Sequence, residues 1–217
     1  MSVGTPTIET PTSYMERASR DSVAETMRAL AERGIHAEVV ASHEEAVERV
    51  KAIIPSGSTV MTSSSVTLRE IGLEAYLAQG DHPWNYLKPA ILAEKDEVAQ
   101  SRLRRQAAVA DYTIGSVQAI TEAGEVVVAS GTGSQISPYA YASANIVWIV
   151  GTHKIVRNLD EAMHRVREYC VPRVSAMASR LGRPDAGVLG KTLIFERELA
   201  YTNRKIRVLF LDEVIGI

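Results

Sequence analysis

The chain has 217 residues, of which 46% are hydrophobic and 23% are charged, and its formal net charge is -2. This length and hydrophobic content suit one large globular domain, and the near-neutral charge argues against the broad basic face that non-specific nucleic-acid binding requires. No apolar run approaches the roughly 18 residues of a membrane span, and the N-terminus lacks the charged start and apolar core of a signal peptide. We therefore expect a cytoplasmic protein with no nucleic-acid partner and no membrane association.

Cys170 is the single cysteine of the sequence. One thiol excludes an internal disulfide framework and any zinc or iron–sulfur site built only from cysteines of this chain. The five histidines show no His-Glu-x-x-His motif or other paired spacing, so they do not predict a metal site. We expect this chain alone to hold no metal and no cofactor.

The N-terminal residues predict an arm followed by one domain. Residues 1–12 carry two prolines and no hydrophobic period, which predicts a disordered arm ahead of a domain over residues 13–217. Ser13 and Glu16 have the spacing of a capping box, and the apolar positions after them predict a first helix that ends near Gly34.

Strand and helix patterns alternate through the rest of the chain. The predicted strands are HAEVVA, STVMT, YTIGSVQAI, EVVVAS and IVWIV, with two further β-rich runs in KTLIFEREL and KIRVLFLDEVIGI. The run IVWIV, residues 146–150, is apolar on both faces, as is typical of a central strand covered by helices. The tight turn TEAGE predicts a hairpin between YTIGSVQAI and EVVVAS. Together these patterns predict an α/β fold with a largely parallel sheet flanked by helices and a local β-hairpin.

Capping patterns and breaker residues place the remaining segments. Ser42 and Asn158, each followed three residues later by a glutamate, predict two helix starts. Residues 94–110 have a charged helical pattern. Residues 80–93 contain two prolines without a clear period and are interpreted as an irregular lid or edge of a site, and residues 182–190 as a Gly/Pro loop.

Three consecutive serines form the first candidate site. Ser63, Ser64 and Ser65, with Thr67 close behind, follow a predicted strand and open a predicted helix. In open α/β sheets ligands bind beyond the carboxyl ends of the strands, where hydroxyls and free backbone N–H groups favour a carboxylate or phosphate. The alternative is plain helix capping, for which one serine suffices.

A second candidate is the turn that carries Glu122. Nearby glycines allow close approach of backbone to a ligand, and a carboxylate on such a turn can act as base or nucleophile. The alternative is ordinary hairpin chemistry with a solvated glutamate. The Gly/Ser stretches around it match neither the dinucleotide fingerprint nor a P-loop, and they add Gly115, Ser116, Gly131 and Gly133 as candidate binding positions.

The third candidate follows the predicted central strand. Lys154 is placed to neutralise an anionic substrate, and His153 is placed to shuttle a proton near neutral pH. The alternative is that both residues belong to a surface loop.

Several separated motifs resemble one family. The region ADYTIGSVQAITEAGEVVVASGTGSQISPYAYASANIVWIVGTHKIVRNLDEAMHRVREYCVPR looks like the signature region of the LUD-domain proteins, the group that contains lactate-utilisation protein C. TSSSVTLREIGL resembles the earlier Ser/Thr motif of this family, and KTLIFERELAYTNRKIRVLFLDEVIGI resembles its closing strands. The resemblance covers about residues 13–217.

The resemblance implies the NagB/RpiA/CoA transferase-like fold and a link to oxidation of lactate to pyruvate, with iron–sulfur clusters carried by partner subunits. Some relatives have a cysteine-rich segment where this chain has VSAMASRLGRPDAGVLG, which contains no cysteine. The departure removes direct metal ligation there and leaves open whether the protein acts in a lactate pathway. Within this superfamily, CoA transferases use a glutamate near a Glu-x-x-Gly or Glu-x-Gly turn, and Glu122 is the nearest match by analogy of fold.

Three functions follow as hypotheses. The first is binding of a small anionic metabolite, such as a 2-hydroxy or 2-oxo acid, by Ser64, Ser65, Thr67 and Lys154, with Glu122 as acid or base. The second is an acyl or CoA transferase, or a sugar-phosphate isomerase, that uses Glu122. The third is a non-catalytic subunit of an iron–sulfur oxidoreductase complex. Assembly into a homo-oligomer is left open.

Overall fold

A computed structural model of the chain describes residues 12–182 and 187–217. Most of the predicted N-terminal arm, residues 1–11, lies outside these ranges, as do residues 183–186 of the predicted Gly/Pro loop.

Six parallel strands form the larger of two sheets, in the spatial order β1-β10-β7-β4-β2-β3. Their bounds are β1 Ile35–Val40, β2 Thr59–Thr62, β3 Asn85–Tyr86, β4 Tyr112–Gly115, β7 Asn145–Gly151 and β10 Lys205–Leu211. Because all six run in one direction, their carboxyl ends lie at one edge of the sheet. The predicted parallel sheet is confirmed.

A smaller mixed sheet packs beside it, in the order β8-β5-β6-β9. Its strands are β5 Ala119–Thr121, β6 Val126–Ser130, β8 Ile155–Val156 and β9 Lys191–Phe195. Strands β5 and β6 pair antiparallel, so the predicted hairpin is confirmed. The predicted single strand YTIGSVQAI was wrong, because it is divided into β4 of the parallel sheet and β5 of the smaller sheet. The tail run that contains β9 pairs with β6 and is not a member of the parallel sheet.

Eight α-helices connect the strands. They are α1 Arg20–Glu32, α2 His43–Ile53, α3 Val66–Glu70, α4 Leu73–Gln79, α5 Lys88–Ala93, α6 Glu97–Gln106, α7 Leu159–His164 and α8 Val171–Arg180 within the described ranges. Side chains of Ser42 and Asn158 accept hydrogen bonds from the backbone N–H groups of Glu45 and Glu161, which confirms both predicted caps. A π-helical turn, Arg165–Cys170, joins α7 to α8.

Two predicted boundaries were wrong. The first helix begins at Arg20, not after Ser13, because the Ser19 side chain accepts from the Ser22 N–H and so caps it. Residues 80–93, expected to be irregular, contain the short strand β3 and the helix α5. Pro89 occupies the first turn of α5, where its missing N–H costs nothing.

The core lies on both faces of the parallel sheet. Residues 146–150 of β7 are each at most 1% exposed. Val147 and Ile149 point into a cluster with helices α2 to α4, whereas Trp148 and Val150 point into a second cluster with α1 and the smaller sheet. This alternation explains why the strand is apolar at every position, and the predicted central strand is confirmed.

Candidate functional site

The carboxyl edge of the parallel sheet gathers most of the predicted polar residues. Strand β2 ends at Thr62 and leads into the three serines, β4 ends at Gly115 and leads into Ser116, and β7 leads into a single 3-10 turn, Thr152–Lys154. Two polar sites lie near this edge, a cleft and a buried cluster.

The first site is a cleft of about 140 Å³. Its floor is formed by Met61 of β2 and Thr113 of β4, which are partners in register. Helix α5 and the C-terminal end of α6 form its walls, with Ile91, Leu92, Ala107, Ala108 and Pro138 as apolar lining residues. Its polar lining residues are Thr62, Ser63, Ser64, Lys88, Arg104, Thr113, Ser134 and Gln135.

The charges of this cleft have one sign. Lys88 and Arg104 contribute two cations, and the described residues that line the cleft include no carboxylate. Lys88 Nζ lies 3.2 Å from Glu74 Oε1, so its charge is partly compensated by a neighbour behind the wall. Arg104 is exposed and has no ion pair within the described ranges. An anion entering the cleft therefore meets an uncompensated guanidinium.

The three serines have three different roles. Ser65 caps α3, since its Oγ accepts from the Leu68 N–H at 3.4 Å. Ser63 Oγ accepts a hydrogen bond from the Tyr139 hydroxyl at 3.2 Å. Ser64 is exposed, lines the cleft and has no hydrogen-bond partner among the described residues. The capping alternative is thus confirmed for Ser65, whereas anion binding at Ser64 stays a prediction. Helix α3 has only five residues, so the expected contribution of its dipole is small.

A buried hydroxyl forms part of the cleft floor. Thr113 is 1% exposed, and its Oγ1 has no hydrogen-bond partner in the described part of the chain. An unpaired buried hydroxyl costs about 1–3 kcal/mol. A ligand oxygen in the cleft would relieve that cost.

The second site is a buried cluster of Thr67, Ser116 and Lys154. Lys154 Nζ donates to Thr67 Oγ1 and to Ser116 Oγ, both at 3.2 Å, and Thr67 Oγ1 donates to Ser116 Oγ at 3.3 Å. Helix α3, which carries Thr67, packs through Leu68 on the face of the sheet opposite to Met61 and Thr113. None of the three cluster residues lines the cleft.

Burial governs the ionisation of this cluster. Burial, and after it the nearby Arg165 guanidinium, lowers the pKa of Lys154 to about 7. Burial, followed by the charges of Arg165 and Lys154, lowers the pKa of His153 to about 3. His153 is thus neutral at pH 7 and does not titrate near neutrality, contrary to the proton-shuttle prediction.

Glu122 lies apart from both sites. Its Oε1 accepts from Ser22 Oγ at 2.6 Å, and its backbone N–H donates to Val156 O. It does not line the cleft, and no contact described in the structure joins it to Lys154. The hairpin that carries Glu122 belongs to the smaller sheet, and its turn contacts α1 through Ser22.

The predicted glycines shape loops. A Cβ at Gly115 would overlap the Tyr139 hydroxyl, so glycine is needed for the hydrogen bond between Tyr139 and Ser63. Gly133 has φ of 88° and donates its N–H to Ser130 Oγ at 2.9 Å, in the loop that brings Ser134 and Gln135 to the cleft. Gly131 lines a smaller cavity of about 60 Å³ beside Cys170.

The sequence did not reveal several cleft residues. Lys88 lay in a segment without periodicity, and Arg104 is one of three arginines in a charged helix that look alike in sequence. Thr113 is a strand residue like many others. Pro89 was the sequence signal that could have placed Lys88 at the start of a helix, since proline is common in the first turn of helices.

Among the described residues, no group of three or more His, Cys, Asp or Glu is arranged to hold a metal ion. Within the same ranges, every helix is too short or too polar to cross a lipid bilayer.

Fold and site define the class: an α/β protein with a parallel sheet and a cationic cleft near the carboxyl edge of that sheet. A family profile described as the LUD domain matches residues 23–181, more than half of the chain, and the chain belongs to this family. The family prediction made from the motifs is therefore confirmed.

A solved structure of a DUF162 family protein agrees with the fold. A crystal structure of a DUF162 family protein from Deinococcus radiodurans has a TM-score of 0.51 and 12% identity, and the match covers 89% of this chain and 98% of that one. The structure of eIF2B beta from Chaetomium thermophilum has a TM-score of 0.38 and 12% identity over 55% of this chain and 44% of that one. No curated protein sequence matches the chain.

Proposed function

We propose that this LUD-domain protein binds a small organic anion, a 2-hydroxy or 2-oxo acid, in the cleft and serves in lactate or related organic-acid utilisation. The observation that carries the proposal is the cationic lining, in which Arg104 and Lys88 face free hydroxyls and no described lining residue is a carboxylate. The proposal also includes partner subunits with iron–sulfur clusters, which the family resemblance suggests. It further includes a cytoplasmic location, which the sequence suggests, and a homo-oligomeric state.

Charge selects the carboxylate. The Arg104 guanidinium presents a planar set of N–H donors that matches a carboxylate, and a hydrogen bond between charged partners is worth about 1.5–3 kcal/mol. Ser64 offers a further donor at the same wall. A neutral molecule of the same shape gains none of the binding free energy that comes from this charge-assisted hydrogen bond.

Size and polarity select the rest of the ligand. A cavity of about 150 Å³ accommodates a molecule the size of benzene, and this cleft has about 140 Å³. Apolar walls from Met61 and Ile91 suit a methyl or short alkyl group, while Thr113 Oγ1 lacks a partner and suits the 2-hydroxyl or 2-oxo oxygen. The combination of one carboxylate, one adjacent oxygen and a short alkyl group describes the proposed acids.

The residue roles inside this proposal differ from those that the sequence suggested. Ser63, Ser64, Lys88, Arg104 and Thr113 form the binding site. Ser65, Thr67 and Lys154, which the sequence suggested as ligands for the anion, are a helix cap and two members of the buried cluster.

A melting-temperature screen tests the proposal. Lactate, pyruvate and longer 2-hydroxy and 2-oxo acids are compared with lactamide, which keeps the size of lactate and lacks its charge. The acids should raise the melting temperature, since a ligand at 100 times its Kd stabilises the fold by about 2.7 kcal/mol, and lactamide should not. Absence of a shift with every acid, or an equal shift with lactamide, would contradict the proposal.

Glu122→Gln tests the alternative in which Glu122 is the central residue. The amide keeps the size of the side chain and can still accept a hydrogen bond from Ser22 Oγ. We therefore expect normal folding and the same melting-temperature shift with the organic acids as in the wild type. Titration calorimetry with the best acid of the screen measures the effect. Loss of binding in this variant would move the site to the hairpin and favour the transferase or isomerase hypothesis.

A further inference from the structure

The buried cluster has a composition that packing alone does not require. Lys154, Thr67 and Ser116 are 1%, 1% and 9% exposed, and their three polar atoms form a triangle with sides of 3.2, 3.2 and 3.3 Å. An ammonium group that loses its water normally needs a carboxylate beside it. Among the described contacts of Lys154 Nζ, both partners are neutral hydroxyls.

The charged and titratable groups around the cluster keep the amine near its neutral form. Burial is the largest influence on the pKa of Lys154 and Arg165 the next, and both lower it, while Cys170 and Glu70 raise it. His153, the adjacent residue, is neutral at pH 7 because burial holds its pKa at about 3. With a pKa of about 7, a large fraction of Lys154 is unprotonated at neutral pH and can accept a proton.

We propose that Ser116 is a nucleophile for acyl transfer, with Lys154 as its general base and Thr67 as the hydroxyl that positions the amine. A serine and a base within hydrogen-bond reach, with the base oriented by a third group, form the arrangement that activates nucleophiles in several folds, including Ser–Lys pairs. The 3.2 Å separation between Ser116 Oγ and Lys154 Nζ meets that condition. The substrate class is an activated carboxylic ester or thioester.

The reaction is a balanced exchange in two steps. Ser116 Oγ forms a bond to the acyl carbon and its proton passes to Lys154 Nζ, while the bond from the acyl carbon to the leaving oxygen or sulfur breaks. The leaving group takes the proton from Lys154 and departs as an alcohol or thiol. Water then attacks the acyl-enzyme with Lys154 again as base, which releases the carboxylic acid and restores the serine.

The C-terminal segment covers this cluster. Gly216 has φ of 75°, and a Cβ there would overlap Thr67 Oγ1, so the backbone passes directly over the cluster. The Gly216 N–H donates to Glu70 Oε2 at 2.7 Å and fixes that position. An acyl group therefore reaches Ser116 when residues 212–217 move away from Thr67. None of Ser116, Lys154 and Thr67 lines the cleft, so this proposal is tested separately from anion binding there.

Labelling with a fluorophosphonate probe tests the proposal. The probe should modify Ser116 of the wild-type protein, as located by peptide mass mapping, and the rate should rise with pH to a plateau with its midpoint near 7. Lys154→Met should slow labelling about 100-fold, within the range typical of general-base catalysis. Ser179→Ala, at an exposed helical serine, is the matched control and should be labelled as fast as wild type.

The same experiment has clear contrary outcomes. Absence of label in the wild-type protein, label on other serines only, or a Lys154→Met rate equal to wild type would each overturn the proposal. Mapping of the wild-type protein locates the label without any variant, so the result does not depend on whether Ser116→Ala folds. The melting-temperature shifts caused by 2-hydroxy and 2-oxo acids are measured in a separate experiment. A negative labelling result therefore leaves the proposed anion site in the cleft unaffected.

Discussion

Arg104→Met weakens binding of 2-hydroxy and 2-oxo acids by about 10- to 150-fold. This range is the loss of a charge-assisted hydrogen bond worth about 1.5–3 kcal/mol, at 1.4 kcal/mol for each factor of ten. Methionine keeps much of the length of the side chain and removes only the guanidinium. Because Arg104 lines the cleft without an ion-pair partner among the described residues, the free protein should lose little stability. Titration calorimetry gives the affinities, and a melting curve without ligand checks the fold.

Arg102→Met is the matched control for that prediction. Arg102 lies on the same helix, is exposed and does not line the cleft. Its replacement removes the same charge from the same element, so a long-range effect of net charge would appear equally in both variants. Equal affinities of the two variants would show that Arg104 does not contact the anion.

Lys154→Met changes the pH dependence of stability. Below pH 7 Lys154 is charged in both the folded and the unfolded state, and the folded state carries the full cost of burying the ammonium. Above pH 10.5 it is neutral in both states and the cost disappears. Between pH 6.5 and 9.5 the wild type should therefore gain about 3 kcal/mol of unfolding free energy from this group, on the basis of 1.36 kcal/mol for each pKa unit.

Urea unfolding of the wild type and of Lys154→Met at pH 6.5 and pH 9.5 measures this effect as a difference in unfolding free energy between the two proteins. The variant has no amine to titrate, so its stability relative to wild type should be about 3 kcal/mol greater at pH 6.5 than at pH 9.5. Lys205→Met, at an exposed position at the start of β10, is the control and should show no such change. A pH-independent difference for Lys154→Met would mean that the amine is solvated or paired with an anion in the folded protein.

Much of the fold could be predicted because the relevant signals are local. The alternation of β7 between two apolar clusters is visible as an uninterrupted apolar run, and the caps at Ser42 and Asn158 involve residues three positions apart. The first helix start was misplaced because Ser13 and Ser19 both precede an acidic residue at short spacing, and tertiary packing decides between such starts.

The site could be predicted only in part, because the tertiary packing decides which side chains reach the cleft. Ser64 was identified since the junction between a parallel strand and a helix falls at the ligand-binding edge of such sheets. Lys154 lies at the same edge but belongs to the buried cluster, and Glu122 is in the hairpin turn of the smaller sheet. No pattern in the sequence separates Arg104 from Arg102 and Arg105, since only the packing of α6 brings one of them to the cleft.

The central claim is that a carboxylate binds between Arg104 and Ser64. A crystal structure of the protein grown with the 2-oxo acid that gives the largest melting shift tests it most directly. The acid should lie in the cleft, with its carboxylate at the Arg104 guanidinium, its 2-oxo oxygen within hydrogen-bond distance of Thr113 Oγ1 and its alkyl group against Met61. An acid bound beside Glu122, or a cleft without ligand in crystals of a protein that binds the acid in solution, would contradict the account.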